Sequence, residues 1–425
     1  MNNNTLLLKL GINPDNFKNT IVDPIKTNAG FIYELQERTD VRTCPYCDST
    51  SVYIKEYYFT NTKIANDSNI NETLRIKRVR FKCKNCNKTF TNKLSGINYN
   101  CQISNFIKSQ ILKDFTSHLT FQQIADKYHI STTLAIKLFD DNFTYIPIGP
   151  LPEILCIDEI YFSRKADYKY VCVLVDYKTK TIYDIIKSRQ LPYLIDYFSR
   201  FSQIALDNVS FFISDMYDPY AYIRKRFFKN ATHVIDLFHI ISQMTNVVNI
   251  LRTRTMNRFS DKGSKEYNFM KSHWKLFLMN YHKVPDKFYT HKSSNVMLHY
   301  DEMITHCIKL NPDLWTAYNC LQDIYKYIHF YSYSETDKFI SWMSKKLIDS
   351  NNDDLAKVGN TFLKWKPGIC ASFAKNQHNV YYTNAIAESM NNQLATILKS
   401  AYGYQNFERF RKRALLILKH SKIHF

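Results

Sequence analysis

The chain has 425 residues, 45% of them hydrophobic and 22% charged, with a formal net charge of +19 and a pI near 9.3. That length and composition fit a folded protein of two to four domains and exclude a disordered chain. The basic excess points to a polyanionic partner, nucleic acid first, and with only 8 glycines and no phosphate-loop or dinucleotide-binding glycine motif, nucleotide-fuelled and dinucleotide enzymes are excluded.

In chain order, the opening MNNNTLLLKLGINPDN lacks the basic start and long apolar stretch of a signal peptide, and no run is long enough to span a bilayer. Residues 1–40 carry no clear motif. Of ten cysteines, four form two CxxC pairs, Cys44-Pro-Tyr-Cys47 and Cys83-Lys-Asn-Cys86. The other six (Cys101, Cys156, Cys172, Cys307, Cys320 and Cys370) are scattered, as reduced thiols in a cytosolic protein are. Each CxxC turn offers two thiolates to one ion, so the two together predict a tetrahedral, structural Zn²⁺ site with no open position. The strand-like stretches Ser51–Thr60 and Thr73–Lys82 make residues 41–95 a zinc ribbon, and Arg75, Lys77, Arg78, Arg80, Lys82, Lys84 and Lys88 give it a phosphate-contacting surface.

Residues 100–145 read as helices. Within LTFQQIADKYHISTTLAIKLF, helix Phe121–Tyr128 is followed by a turn at His129-Ile130, Ser131 as N-cap and helix Thr132–Phe139. This is the spacing of a DNA-binding helix-turn-helix, whose second helix presents Ser131, Thr132, Thr133 and Lys137. The proline-rich TYIPIGPLP (144–152) predicts a linker.

Beyond it the pattern becomes βββαβαβ. Strands are expected over 153–162, 168–176, 180–188, 209–214 and 232–236, with helices over 191–205 and 218–229. That order predicts a mixed sheet with helices on its faces. Residues 241–379 read as an all-helical insertion. Helices follow over 384–400 and, basic and amphipathic, over 407–420, so that 150–240 and 380–425 together form the core.

Asp158 interrupts an apolar strand, where a charge is costly unless paired or bound to metal. Asp215 ends the fourth strand, and Glu388 shares a helix face with Asn384, Asn391 and Asn392. Oxygen ligands of this kind suit Mg²⁺. Glu159 competes with Asp158, since strand alternation sends one of the two away from the site without saying which. Asp176 and Asp218 are weaker competitors.

The order of elements is similar to the RNase H-like core of DDE transposases with a helical insertion. The chain over roughly residues 40–420 resembles the ISL-three family of bacterial insertion-sequence transposases. Its ribbon, its helix-turn-helix, Asp236-Leu-Phe-His239 and the tail Asn384…Glu388…Asn391-Asn392…Ala401-Tyr402-Gly403-Tyr404-Gln405-Asn406-Phe407 carry the likeness. The resemblance implies a catalytic triad of Asp158, Asp215 and Glu388 holding Mg²⁺ or Mn²⁺, with Asp236 and His239 as a D-x2-H signature. It also implies double-stranded DNA as partner (terminal inverted repeats and target DNA), a dimer or larger assembly on that DNA, and a cytoplasmic, nucleoid-associated bacterial protein. Where basic residues commonly follow the Asn-Asn pair, this chain has Gln393, Ala395 and Leu398. A DNA-binding regulator that no longer cleaves, and a stand-alone RNase H-like nuclease, are the alternatives.

Overall fold

The computed structural model describes residues 7–18, 23–28, 30–40, 43–67, 70–97, 103–144, 149–164, 168–290, 297–328, 333–373 and 381–420. Cys101 and positions 145–148 of the expected linker lie outside them. The chain divides into two compact units: Met1–Ile146 with Ser400–Tyr402 and Glu408–Phe425, and Pro147–Lys399 with Gly403–Phe407.

The first unit is built on a sheet ordered β1-β2-β4-β3, with β5 pairing the C-terminal end of β4 on the edge opposite β3. The strands are β1 (Ile25–Thr27), β2 (Gly30–Gln36), β3 (Val52–Asp67), β4 (Ile70–Cys83) and β5 (Thr89–Phe90). Residues 1–40, which carry no motif, thus supply two strands, and Leu7, Leu10, Ile12 and Phe17 join Leu35, Ile64, Leu74 and Ile76 in one apolar cluster. Gly30 has φ +131°, and a Cβ there would meet the Asn71 carbonyl oxygen at 1.9 Å, so β2 can run beside β4 only with glycine at its head. Helices α1 (Asn105–Asp114), α2 (Phe121–Lys127) and α3 (Thr132–Asn142) follow.

Helix α14 (Phe407–His420) also belongs to this unit, apart from its first residue. That corrects the expectation that 380–425 lies wholly in the core. Arg409 pairs with Asp140, and the almost fully buried Arg413 donates to the Ser117 and Leu119 carbonyls while its guanidinium lies over the Phe115 and Phe121 rings. The basic face of the helix is therefore spent partly inside the protein.

The second unit holds a five-stranded sheet in the order β10-β9-β6-β7-β8. Its strands are β6 (Ile154–Tyr161), β7 (Tyr170–Asp176), β8 (Thr181–Ile186), β9 (Phe211–Ser214) and β10 (Thr232–Ile235). Rich in Ile, Val, Tyr and Phe, β6–β8 form an antiparallel meander, and β9 and β10 add in parallel on the β6 side. The helix expected over 191–205 is two, α4 (Leu191–Phe198) and α5 (Gln203–Asp207), because Ser202 accepts from the Ala205 N–H and caps a new start. With α6 (Asp218–Phe227), they cover a cluster of Leu155, Ile157, Leu174, Phe198, Phe212 and Tyr220.

Within β10, the largely enclosed His233 shares a hydrogen bond between its Nε2 and the Ser214 hydroxyl and touches the Phe212 and Trp365 rings. Burial pulls it down to about 4. Its neutral form therefore contributes stability that is present above its unfolded pKa of about 6.5 and is lost as pH falls from there to about 4. His233→Gln keeps a polar partner for Ser214. Urea titrations of the two proteins are expected to show a wild-type advantage that shrinks by about 3 kcal/mol across that window, and a constant difference overturns the assignment.

The remaining helices are α7 (Leu237–Asn257), α8 (Lys265–Ser272), α9 (Tyr300–Lys309), α10 (Pro312–Tyr327), α11 (Tyr333–Ile348), α12 (Asp353–Phe373) and α13 (Ala385–Ser400). All of them but α13 enclose a large core containing Met244, Val248, Leu251, Phe269, Leu321, Phe362 and Ile369. The insertion is not all helical: β11 (Phe288–Thr290) pairs with β12 (Met297–His299). Helix α12 lies against β10, where a Cβ on Gly368 would meet Ile235 at 2.7 Å, and Ser372 donates to the Ile235 carbonyl. It also crowds α11, since a Cβ on Gly359 would sit 2.7 Å from the Ser344 carbonyl oxygen. Gly359→Ala must push two helix backbones apart. It is expected to cost about 1–3 kcal/mol, read as a lower urea midpoint.

Candidate active site and cysteine cluster

Three aspartates lie on adjacent parallel strands: Asp158 within β6, just past its pairing with β9, and Asp215 and Asp236 directly after the last residues of β9 and β10. The register Cys156↔Ile213 carried on by two residues, and Ser214↔Ile235 carried on by one, set Asp158, Asp215 and Asp236 side by side. Asp158 and Glu159 point to opposite faces. Glu159 pairs with Arg189 and accepts from the Tyr220 hydroxyl at 2.9 Å, on the side of the α4 and α6 cluster. Asp158 Oδ1 accepts from the Glu159 N–H at 2.8 Å, and its Oδ2 accepts from Asn391 Nδ2 on α13 at 2.9 Å.

Burial, against a lowering backbone bond and with repulsion from Glu159 and Asp215, pushes the Asp158 carboxyl up to about 7. Burial and the nearby Glu159 push Asp215 up to about 6. Asp215 Oδ1 is buried and has no hydrogen-bond partner. An orphaned carboxylate oxygen beside a second half-buried carboxylate is the arrangement a cation relieves, and oxygen donors suit a hard divalent ion. These residues therefore fit a divalent metal.

Asp236 is almost wholly buried. Its Oδ1 accepts from the Asn384 N–H at 3.1 Å, and its Oδ2 bonds His239 Nδ1 at 3.1 Å. That bond favours the charged form of His239 and raises its pKa. Asn384 Nδ2 reaches the Ile157 carbonyl at 3.5 Å. Glu388 thus sits between two residues of its own helix face, Asn384 and Asn391, that both bond to β6. Its own side chain is exposed, and among the described residues no three carboxylates converge as metal ligands do. The structure brings Asp158 and Asp215 together and leaves Glu388 on the rim, with Asn392 exposed beyond it.

A cleft of about 490 Å³ opens from Asp215 and His239 along α7 and α12. Its walls include Gln243, Asn246 and Lys357, none of which stood out in sequence. The polar stripe Ser242, Gln243, Asn246 at helical spacing on a mostly apolar helix was the available signal.

In the first unit, Cys44, Cys47, Cys83 and Cys86 converge. The Sγ separations are 3.6 Å for Cys44 and Cys86 and 3.7 Å for Cys47 and Cys83. Tetrahedral Zn–S bonds of about 2.3 Å require edges of about 3.8 Å, so the cluster fits Zn²⁺. Both CxxC turns end in a left-handed residue, Asp48 (φ 55°) and Asn87 (φ 56°), the types that tolerate it best. The N–H groups of Cys86 and Asn85 favour the Cys83 thiolate, whereas Cys86, packed against the other three thiols, is raised, as expected of four sulfurs that share protons with one another. Of the ribbon's basic residues, Arg78 is buried against Glu37, and Arg75 and Arg80 pair with Glu34 and Glu56.

Thr120 and Gln123 close a capping box on α2, which buries Ile124 and Ala125 ahead of its buried C-cap Tyr128. His129 turns at φ 48°, and Ser131 caps α3. Thr132 donates to Gln122, which leaves Thr133 and Lys137 as the exposed members of the predicted set beside Ser131.

Among the described residues no helix is long and apolar enough to cross a membrane. No individually curated protein matches the chain. A family profile described as transposase, of the ISL3 type, matches residues 155–414, from the second residue of β6 to the middle of α14. Because that match covers more than half of its length, the chain belongs to the ISL3 family of transposases.

Proposed function

We propose that this protein is the DNA transposase of an insertion sequence, with Asp158, Asp215 and Glu388 as its catalytic carboxylates. The observation that carries the reading is the pair of half-buried aspartates on adjacent parallel strands, both pushed up in pKa by burial and neighbouring carboxylates, with an orphaned oxygen on Asp215. A meander followed by two parallel strands, in the order β8-β7-β6-β9-β10, supports an RNase H-like core.

Asp158 and Asp215, joined by Glu388, would hold Mg²⁺ or Mn²⁺, which supplies Lewis acidity and charge neutralisation at a phosphodiester. The protein's own groups prepare the place. Asn391 and the Glu159 N–H fix both oxygens of Asp158. Asp236 ties His239 to the start of α13 and favours its charged form, which would place positive charge near Asp215 where a DNA phosphate arrives. Thr133 and Lys137 on α3, with the basic ribbon, bind terminal inverted repeats, and Zn²⁺ holds the ribbon's turns. Pairing two ends requires a dimer or larger assembly.

The test is incubation with duplexes that span the gene's flanking repeats. Cleavage at the repeat end, leaving a 3′-hydroxyl, is expected with Mg²⁺ or Mn²⁺ and not with a chelator. The exposure of Glu388 favours a second reading, a regulator that binds these ends without cutting, and binding without cleavage in both metals selects it. Cleavage indifferent to the repeat sequence selects a nuclease.

A further inference from the structure

The cleft that opens from Asp215 is not needed to hold a metal, and its lining has its own chemistry. Its volume of about 490 Å³ falls in the range of about 300–1,000 Å³ that encloses a drug-sized molecule. One or two nucleotides fill such a space; a duplex does not. Apolar floor residues such as Val247 and Val358 lie beneath polar walls from two helices. From α7 come the carboxamides of Gln243 and Asn246, and from α12 the ammonium of Lys357. None of these three side chains has a hydrogen-bond or ion-pair partner among the described residues. Besides Asp215, the cleft's other acidic member, Asp354, pairs with Arg254.

Carboxamides present donor and acceptor together, as base edges and sugars require, and a lone ammonium suits a phosphate. The stretch of α7 from His239 to Ile250 is about 16 Å long at 1.5 Å per residue, enough to flank one or two nucleotides of a strand. The geometry points to a subsite for a short single-stranded stretch of DNA next to the scissile phosphate, gripped by Gln243, Asn246 and Lys357. This inference rests on the catalytic reading of Asp215.

The strand held could lie on either side of the cut, and one experiment separates the two. End duplexes carry a single 4-thiothymidine at each of three positions on either side of the scissile phosphate. They are photo-crosslinked to the full chain in Ca²⁺, and the attached peptides are mapped. Crosslinks to 239–250 or 354–361 are expected from one side only, and that side identifies the strand. Lys357→Ala is expected to weaken binding about tenfold and to lower the slope of log affinity against log salt by about one. Asn246→Ala, at an exposed helix position that tolerates truncation, should remove the same crosslinks. Absence of crosslinks to both segments from every position, or wild-type affinity and salt slope in Lys357→Ala, overturns the subsite. Asp215→Asn separates the two readings: it should crosslink normally and not cleave, and if it cleaves at the wild-type rate it is the catalytic assignment that fails.

Discussion

Asp215→Asn and Asp158→Asn are each expected to lower metal-dependent cleavage by at least about a thousandfold, roughly 4 kcal/mol of transition-state stabilisation. The change is nearly isosteric and removes charge from a place where charge is costly. Both carboxyls are pushed up from the usual carboxylate range by burial, and each repels a neighbour. The metal-free variants should therefore unfold at the same urea concentration as the wild type or a higher one, so that lost activity cannot be assigned to lost structure. Glu388→Gln should lose activity similarly although its side chain is exposed, because its helix is tied to β6 on both sides of it by Asn384 and Asn391.

Glu159→Gln is the informative contrast. Glu159 spends its carboxylate on Arg189 and Tyr220, so its replacement should destabilise the α4 and α6 face while the metal requirement of cleavage stays unchanged. Asp236→Ala falls between. It frees both His239 and the Asn384 N–H without touching the reacting phosphate, and a loss of about 10- to 100-fold is expected, as for residues that orient metal ligands. Single-turnover rates with Mg²⁺ across the five variants check the ranking. Wild-type cleavage by Asp158→Asn would remove that residue from the site.

How much of this was legible in the sequence depends on the range of the forces involved. The five strands of the second unit are visible as runs of Val, Ile, Tyr and Phe, since local propensity and burial agree there. Strand alternation separates Asp158 from Glu159 but carries no phase. The phase comes from Arg189, Tyr220 and Asn391, the last of them more than two hundred positions away in the chain. The same holds for α14. FERFRKRALLILKH shows a basic amphipathic helix, but that two of its arginines serve Asp140, Ser117 and Leu119 depends on contacts across most of the sequence. The break between α4 and α5 was local and readable, because Ser202 is a good N-cap residue with helix formers after it. The strands β1 and β2 were not, because short segments signal a sheet only when a long partner such as β4 is present to pair with.

Removing zinc is expected to have the second large effect, and in the other unit. The two CxxC turns sit at one end of the long β3–β4 hairpin: Cys83 is the last residue of β4 and pairs with Val52, and the Cys44–Cys47 turn precedes β3. The hairpin has its own support in Ile64, Leu74, Ile76 and Leu35, so this unit does not share the complete metal dependence of a small zinc finger. Among the described residues, none of 43–50 joins that apolar cluster. Chelation, or Cys86→Ser, should cost several kcal/mol and lower the melting temperature by roughly 10 °C. It should also open the chain to proteolysis near residues 43–50 and weaken binding of the end duplex more than tenfold. Cys156→Ser, at a buried thiol of the other sheet, should retain all the zinc. Elemental analysis of protein purified with zinc and reductant should find one ion per chain in the wild type and in Cys156→Ser, and markedly less in Cys86→Ser. A full complement of zinc in Cys86→Ser would mean that the four thiols, close as they are, do not act as one site.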